Sequence, residues 1–166
     1  MQSWIGLANP KTPVNVGNVM RAAGCFGVNG IFYSGQRYHY ARKFISDTKD
    51  NHETIPLNWC EDLLQALPAG AVPVAVELVE GATPLPAYQH PENAFYLFGP
   101  EDGSLSQDQV NRCRDVIYIP TRGCLNLAAT VNLVLYDRQC KLGVVEGNDD
   151  LIRASRDNNN RLKRRN

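Results

Sequence analysis

Three short stretches carry side chains whose types and spacing suit chemistry. The first is Asn15-Val-Gly-Asn-Val-Met-Arg21. At about 100° per residue, Asn15, Asn18 and Arg21 share one arc of a helix, so two amides and a guanidinium face the same way. They lie next to a loop bracketed by Pro10 and Pro13, at a helix amino end that favours anions. The second stretch is Gly99-Pro-Glu-Asp-Gly103, a tight turn that displays the carboxylate of Glu101. The third is Pro120-Thr-Arg-Gly-Cys-Leu-Asn126, a polar loop that runs straight into an apolar helix. A guanidinium stays protonated, so Arg21 suits anchoring a phosphate or stabilising developing negative charge, not abstracting a proton. Glu101 suits orienting a cation or loop amides, and equally suits fastening its own turn. Asn15 and Asn126 stand where amides hold loops or cap helices.

Cys124, beside Gly123, is the one candidate nucleophile in these loops. A reactive thiol needs a base or a lowered pKa, and no histidine lies close in sequence. His39, His52 and His90 are scattered without metal-ligand spacing, so no metal is expected. The chain has no G-x-G-x-x-G, no P-loop and no G-x-S-x-G elbow.

The elements that must position these residues alternate between strand and helix. Strands are expected at Trp4–Ala8, Ile31–Ser34, Val72–Val79, Ala94–Phe98 and Val116–Ile119, with a short edge strand at Ile55–Leu57. The aromatic and aliphatic run Ala94–Phe98 suits a central strand covered on both faces. Helices are expected from Asn15, as cap, through Phe26, from Trp59 to Leu67, from Ser106 to Cys113, and from about Asn126 to Lys141. On the first of these, Val16, Val19, Met20, Ala23 and Phe26 form the arc that packs on the sheet. The last is apolar on almost every side, and its Asn126, Thr130 and Asn132 are expected to hide against a partner or ligand. The pattern predicts an α/β fold, a mainly parallel sheet flanked by helices. Ligands sit beyond the carboxyl ends of strands in such sheets, which here means the loops Val76–Gly81, Gly99–Gly103 and Pro120–Leu125. Residues 36–52 form a polar loop in which Arg37, Arg42 and Lys43 interleave with Tyr38 and Tyr40; it suits RNA contact or simple solvation.

Length and composition fit one globular domain, residues 1–145, followed by a polar, basic tail over 146–166. Seventeen Lys and Arg balance seventeen Asp and Glu, so a polyanion partner requires a local patch. Five cysteines without a C-x-x-C pair point to reduced thiols. With no basic leader and no span-length apolar run, a cytoplasmic, unprocessed protein is expected, with no domain before its first strand and no membrane partner.

Taken together, the three stretches resemble the SpoU/TrmH family of RNA ribose 2′-O-methyltransferases, within the SPOUT class. Asn15-Val-Gly-Asn-Val-Met-Arg21 is similar to that family's N-x-G-x-x-x-R motif. Leu97-Phe-Gly-Pro-Glu-Asp-Gly103 looks like its F-G-x-E-x-x-G motif, and Ile119-Pro-Thr-Arg-Gly-Cys-Leu-Asn-Leu127 like its I-P-…-S-L-N motif. The match runs from Trp4 to about Lys141. The resemblance implies a deep trefoil knot in the C-terminal part and a homodimer with each active site near the interface. It implies S-adenosylmethionine as cofactor, held through the backbone at Val76, Gly99, Ile119, Cys124 and Leu125. It also implies Arg21 as the catalytic arginine, with Asn15, Glu101 and Asn126 positioning loops and ribose.

Two positions depart from the pattern. Cys124 stands where the family usually has serine, and Ala128 near where it often has another small polar residue. A thiol is the weaker hydrogen-bond donor. The expected activity is methyl transfer to an RNA ribose 2′-hydroxyl. Transfer RNA is favoured, because small members of the family without an added RNA-binding domain act on the wobble ribose of the anticodon loop. The alternatives are a ribosomal RNA substrate, a non-catalytic RNA-binding member of the same fold, and a thiol enzyme working through Cys124.

Overall fold

The computed structural model describes residues 1–41, 55–143 and 145–164. Seven strands form one parallel sheet: β1 (Gln2–Leu7), β2 (Gly30–Tyr33), β3 (Leu57–Trp59), β4 (Val72–Val76), β5 (Thr83–Pro84), β6 (Asn93–Phe98) and β7 (Asp115–Tyr118). Their spatial order is β3-β2-β1-β6-β4-β7-β5. The helices are α1 (Pro13–Phe26), α2 (Arg37–Ala41), α3 (Gln107–Arg112), α4 (Leu127–Leu142) and α5 (Asp149–Ser155).

Strand alternation sorts side chains onto two faces. In β6, Ala94, Tyr96 and Phe98 join Ile5, Leu7, Val74 and Val76 in the larger core under α1 and α4. Phe95 and Leu97 point the other way, into a smaller core with Ala75, Leu63 and Leu105. Strand β6 is central and buried on both faces, as its unbroken apolar run predicts. Burying an aromatic of this kind contributes about 1.5–3 kcal/mol. Gly6 is required by close approach, because a Cβ there would meet the Phe95 ring at 2.6 Å. Helix α1 buries Val16, Val19, Met20, Ala22 and Ala23, close to the predicted arc; Phe26 packs only partly buried against it.

Register decides where the loops go. Leu7 pairs with Phe98, Phe98 with Val76, and Val76 with Ile117. Four strands therefore end in line, and the loops that follow them leave from one edge.

Several expectations need correction. Residues Trp59–Leu67 do not form a helix. Trp59 ends β3, where its indole N–H donates to the Gly35 carbonyl at 3.1 Å, and Asp62 Oδ1 then accepts the Leu64 amide in a tight turn. Leu63, 1% exposed, is the residue this turn buries. The edge strand lies at Leu57–Trp59 rather than Ile55–Leu57. Strand β4 stops at Val76 instead of Val79, because the Glu77 side chain turns to accept the Leu105 amide. Asn15 is not the cap of α1: Thr12 is at the N-cap, Pro13 starts the helix, and Asn15 lies in its first turn. The polar residues of α4 need no outside partner. Asn126 caps the helix by accepting the Ala129 amide, Thr130 Oγ1 donates to the Asn126 carbonyl, and Asn132 Nδ2 donates to the Ala128 carbonyl. Of the basic and tyrosine-bearing loop, Tyr38 is buried edge-on against Tyr33, while residues 42–54 lie outside the described residues. The two-residue strand β5 and the short helices α2 and α5 carried too little periodicity to be predicted.

Candidate active site

Beyond the carboxyl ends of β4, β6 and β7 lies a cleft of about 270 Å³. The turn after β4 supplies Val76, Glu77 and Leu78. The turn after β6 supplies Gly99 and Glu101. The loop after β7 supplies Ile119, Cys124 and Leu125. The amino ends of two helices complete the wall, with Asn15 from α1 and Asn126 and Thr130 from α4.

Eight of the nine predicted site residues thus line one cavity: Asn15, Val76, Gly99, Glu101, Ile119, Cys124, Leu125 and Asn126. Arg21 does not line it. It is exposed on α1, six residues past Asn15 and so about 9 Å further along the helix axis.

Glu101 holds the site's architecture together. Its carboxylate accepts the Lys11 amide at 2.7 Å, the Thr12 amide and Thr12 Oγ1 both at 3.1 Å, and Asn15 Nδ2 at 2.9 Å. The first turn of a helix has backbone N–H groups without intrahelical partners, and a carboxylate from the β6 turn settles beside this one. Partial burial pushes the Glu101 carboxyl up. The Asn15 amide and the Lys11 and Thr12 backbone donors outweigh it and hold the group below the usual carboxylate range. Next to it, Asp102 binds Arg37 at 2.9 Å and Lys11 at 3.1 Å, and these cations bring its pKa to about 2.

Glu77 does the same for the neighbouring turn. Its Oε2 accepts the Leu105 amide at 2.9 Å and its Oε1 accepts the Leu78 amide at 3.0 Å. Gly99 lies against this bond: a Cβ there would stand 3.0 Å from Glu77 Oε2 and 3.1 Å from the Leu105 amide nitrogen. The absent side chain lets two turns touch. Sequence reasoning missed Glu77, whose only signal was a carboxylate at the end of an apolar strand.

Cys124 is exposed on the rim. Among the described residues no histidine lines the cleft. His90 is buried elsewhere, between Tyr96 and Asp137, and the His39 ring meets Tyr40. Among the described residues, then, no histidine supplies the base that a thiol nucleophile needs. Among the described residues no group of three or more His, Cys, Asp or Glu is placed to hold a metal ion. No described helix is long and apolar enough to cross a membrane.

Comparison with known proteins gives a consistent picture. A structure solved for insights into the 2-OH methylation of C/U34 on tRNA superposes with a TM-score of 0.72. It is 27% identical, with 86% of this chain and 91% of that one covered. The TrmH/SpoU tRNA modifying enzyme of A. aeolicus gives 0.74 at 20% identity, over 86% and 76% of the two chains. The AdoMet-bound rRNA methyltransferase of Sinorhizobium meliloti gives 0.69 at 22% identity, over 85% and 57%. The last two likenesses speak for the fold alone. Among curated proteins, none matches the sequence. A family model described as the SpoU rRNA Methylase family matches residues 2–136, a span that holds the whole sheet, α1 and every residue lining the cleft. With its motifs, its strand-end cleft and that match in agreement, this chain belongs to the SpoU family of RNA methyltransferases.

Proposed function

We propose that this chain transfers a methyl group from S-adenosylmethionine to a ribose 2′-hydroxyl of tRNA, with the wobble nucleotide of the anticodon loop as the preferred target. The observation that carries the reading is the convergence of three strand-end turns and two helix amino ends on one cleft. The tRNA preference draws on the solved structure concerned with C/U34 2-OH methylation, which covers the two chains almost end to end.

The residues present fit the cofactor. Val76, Leu78, Phe98, Ile119 and Leu125 give an apolar wall for a nucleoside, while Glu77 and Glu101 bring negative charge suited to a sulfonium. Gly99 leaves the backbone open where a ligand must approach closely. Bound there, S-adenosylmethionine supplies an electrophilic methyl group.

The chain's own residues do the rest. Glu101 fixes the start of α1 and turns the Asn15 amide toward the cleft. Asn126 fixes the start of α4 and the loop that carries Cys124 and Leu125. Arg21, exposed on the same helix as Asn15, anchors a phosphate of the incoming RNA and stabilises negative charge on the ribose oxygen as its proton leaves. The proton passes to the RNA phosphate or to water, since a guanidinium cannot accept it. The C-terminal part is knotted and the active form is a homodimer. Leu133 and Tyr136, 43% and 58% exposed on α4, are the apolar surface that a second subunit covers.

A ribosomal RNA substrate is the second reading, favoured by the description of the matching family as rRNA methylases. The deciding experiment incubates the protein with isotopically labelled S-adenosylmethionine and separated tRNA and rRNA, then maps the labelled nucleotide. A 2′-O-methylated anticodon-loop ribose is expected. Label confined to rRNA overturns the tRNA assignment, and label on a base overturns the ribose assignment.

A further inference from the structure

An enzyme that acts on RNA must attract a polyanion, and this cleft carries only acidic charge, Glu77 and Glu101. Residues 1–145 hold eleven Lys and Arg against thirteen Asp and Glu. Most of the cations described in that body are already engaged. Lys11 and Arg37 hold Asp102, Arg112 holds Asp62 and Asp108, Arg114 holds Asp115, and Lys141 holds Asp137. Arg138, 6% exposed, donates to the backbone carbonyls of Gln2, Pro91 and Glu92. Among the described residues of the body, only Arg21 and Arg122 have no acidic or carbonyl partner.

Among the described residues, the remaining unpaired cations lie in the tail: Arg156, Arg161, Lys163 and Arg164. Residues 158–166 contain no acid at all. This stretch lies beyond the span matched by the family, which ends at residue 136. Its described residues, 158–164, are all exposed, and Arg156 just before them is only partly buried. Helix α5 buries none of its residues, and Leu151 and Ile152 are 40% and 58% exposed. Among the described residues, every hydrogen bond of residues 148–164 stays within that stretch, including the Asn148 cap and the Asp157 and Asn160 side-chain bonds to following amides.

Helix α4 sets where the tail departs. Its amino end lines the cleft through Asn126, while Arg138 near its other end bonds the Gln2 carbonyl at the start of β1 and the Glu92 carbonyl just before β6. The tail thus leaves from the opposite edge of the sheet. Sixteen residues of α-helix span about 24 Å.

We infer that residues 156–164 form an RNA-binding arm that grips the phosphate backbone of the substrate at a distance from the reacting nucleotide. The inference rests on the reading of RNA as substrate. It adds that the substrate is a structured RNA body, because contact at both places requires an RNA at least as long as α4. The stem of a four-base-pair hairpin covers no more than about 14 Å, even at the roughly 3.4 Å per step of a B-form duplex, and falls short of that span.

The test uses the full chain with R156Q, R161Q, K163Q and R164Q combined, against a full-length tRNA transcript and a four-base-pair anticodon hairpin. On the full transcript, the slope of log affinity against log salt is expected to become shallower by about 3, from about 0.7–0.9 per lost phosphate contact. KM is expected to rise with kcat at saturating RNA unchanged. Affinity for the hairpin and for S-adenosylmethionine is expected to stay as in the wild type. An unchanged salt slope overturns the inference, as does an equal loss on the hairpin, which places the arm at the cleft. Tail-dependent binding to phosphatidylserine vesicles with no effect on RNA overturns it in favour of a membrane surface. Methyl transfer by the unaltered chain is measured alongside. Binding without transfer counts against the catalytic reading only, and transfer with an unchanged slope counts against the arm only.

Discussion

The side-chain carboxylate of Glu101 accepts a hydrogen bond from Asn15 Nδ2 at 2.9 Å, across 86 residues of sequence. This bond joins the turn after β6 to the first turn of α1, and two of the three motif stretches become one unit. Glu101→Ala leaves the Thr12 and Lys11 amides and the Asn15 side chain without their acceptor. A stability loss of about 1–2 kcal/mol is expected, moderated by solvent at this half-buried place. Methyl transfer should fall by much more than S-adenosylmethionine affinity. Because the folded carboxyl titrates below its unfolded value, its contribution is complete above the unfolded pKa and disappears as pH falls through the folded one. Wild-type stability should therefore decline below about pH 4.3, and that decline should weaken in Glu101→Ala. Chemical denaturation across pH 3–7 checks both.

Arg21→Ala should leave the fold and cofactor binding unchanged, since the side chain is exposed and outside the cleft lining. Loss of its charge should lower kcat by about 10²–10³. Arg21→Lys should recover only part, because an ammonium lacks the forked geometry. Calorimetry with S-adenosylmethionine, paired with a transfer assay, separates binding from chemistry; an unimpaired Arg21→Ala enzyme refutes the role.

Gly99→Ala inserts a methyl 3.0 Å from Glu77 Oε2 and 3.2 Å from the Ser104 carbonyl carbon. Part of that surrounding is backbone, so the two turns must separate. Overpacking of this kind costs about 1–3 kcal/mol. S-adenosylmethionine affinity should fall at least tenfold, the equivalent of about 1.4 kcal/mol. Isothermal titration gives the answer.

Cys124→Ser replaces a weak donor with a stronger one of similar size. Activity should be kept or raised. A thiol enzyme would instead lose activity, so the same variant decides between the two chemistries, read by transfer rate with and without a thiol-alkylating reagent.

At the foot of the sheet, His90 has a fully buried side chain with Nε2 2.8 Å from Asp137, and Tyr96 OH against its Nδ1. Burial pushes its pKa down and outweighs the pull of Asp137, while Lys141 and Arg138 nearby add to the lowering. A histidine whose folded pKa lies below the unfolded value near 6.5 supports the fold fully above that pH and loses its contribution as pH falls. Stability should thus drop from pH 7.5 to 5.5. His90→Gln should be less stable at the higher pH but flatter across the range, as measured by thermal melts.

The parallel sheet, its central strand and the three strand-end loops that frame the cleft were legible because each rests on local composition, such as the apolar run Ala94–Phe98 and the turn Gly99–Gly103. The same is true of α3, which Ser106 caps through the Gln109 amide as its sequence pattern predicts. Trp59–Leu67 misled because its apolar spacing mimics a helix; the deciding contacts, Trp59 to Gly35 and Cys60 to the Tyr33 carbonyl, are made with β2 and its following loop. Glu77 stayed hidden for a related reason. Its partner, the Leu105 amide, lies 28 residues away and becomes a neighbour only after β4 and β6 pair. Pro13 decided the start of α1 by taking the first helical position, which moved Asn15 from cap to contact.

Helix α4 acts as a strut. Asn126 fixes one end at the loops that frame the cleft, and Arg138 clamps the other to the carbonyls beneath β1 and β6. A rod seated at both ends lets neither end loosen alone, so warming should not disorder the cleft loops before the domain itself melts. Heat inactivation and loss of helical dichroism are then expected at the same temperature, and thermal hardening of this protein is best sought at the rod's lower seat, far from the chemistry.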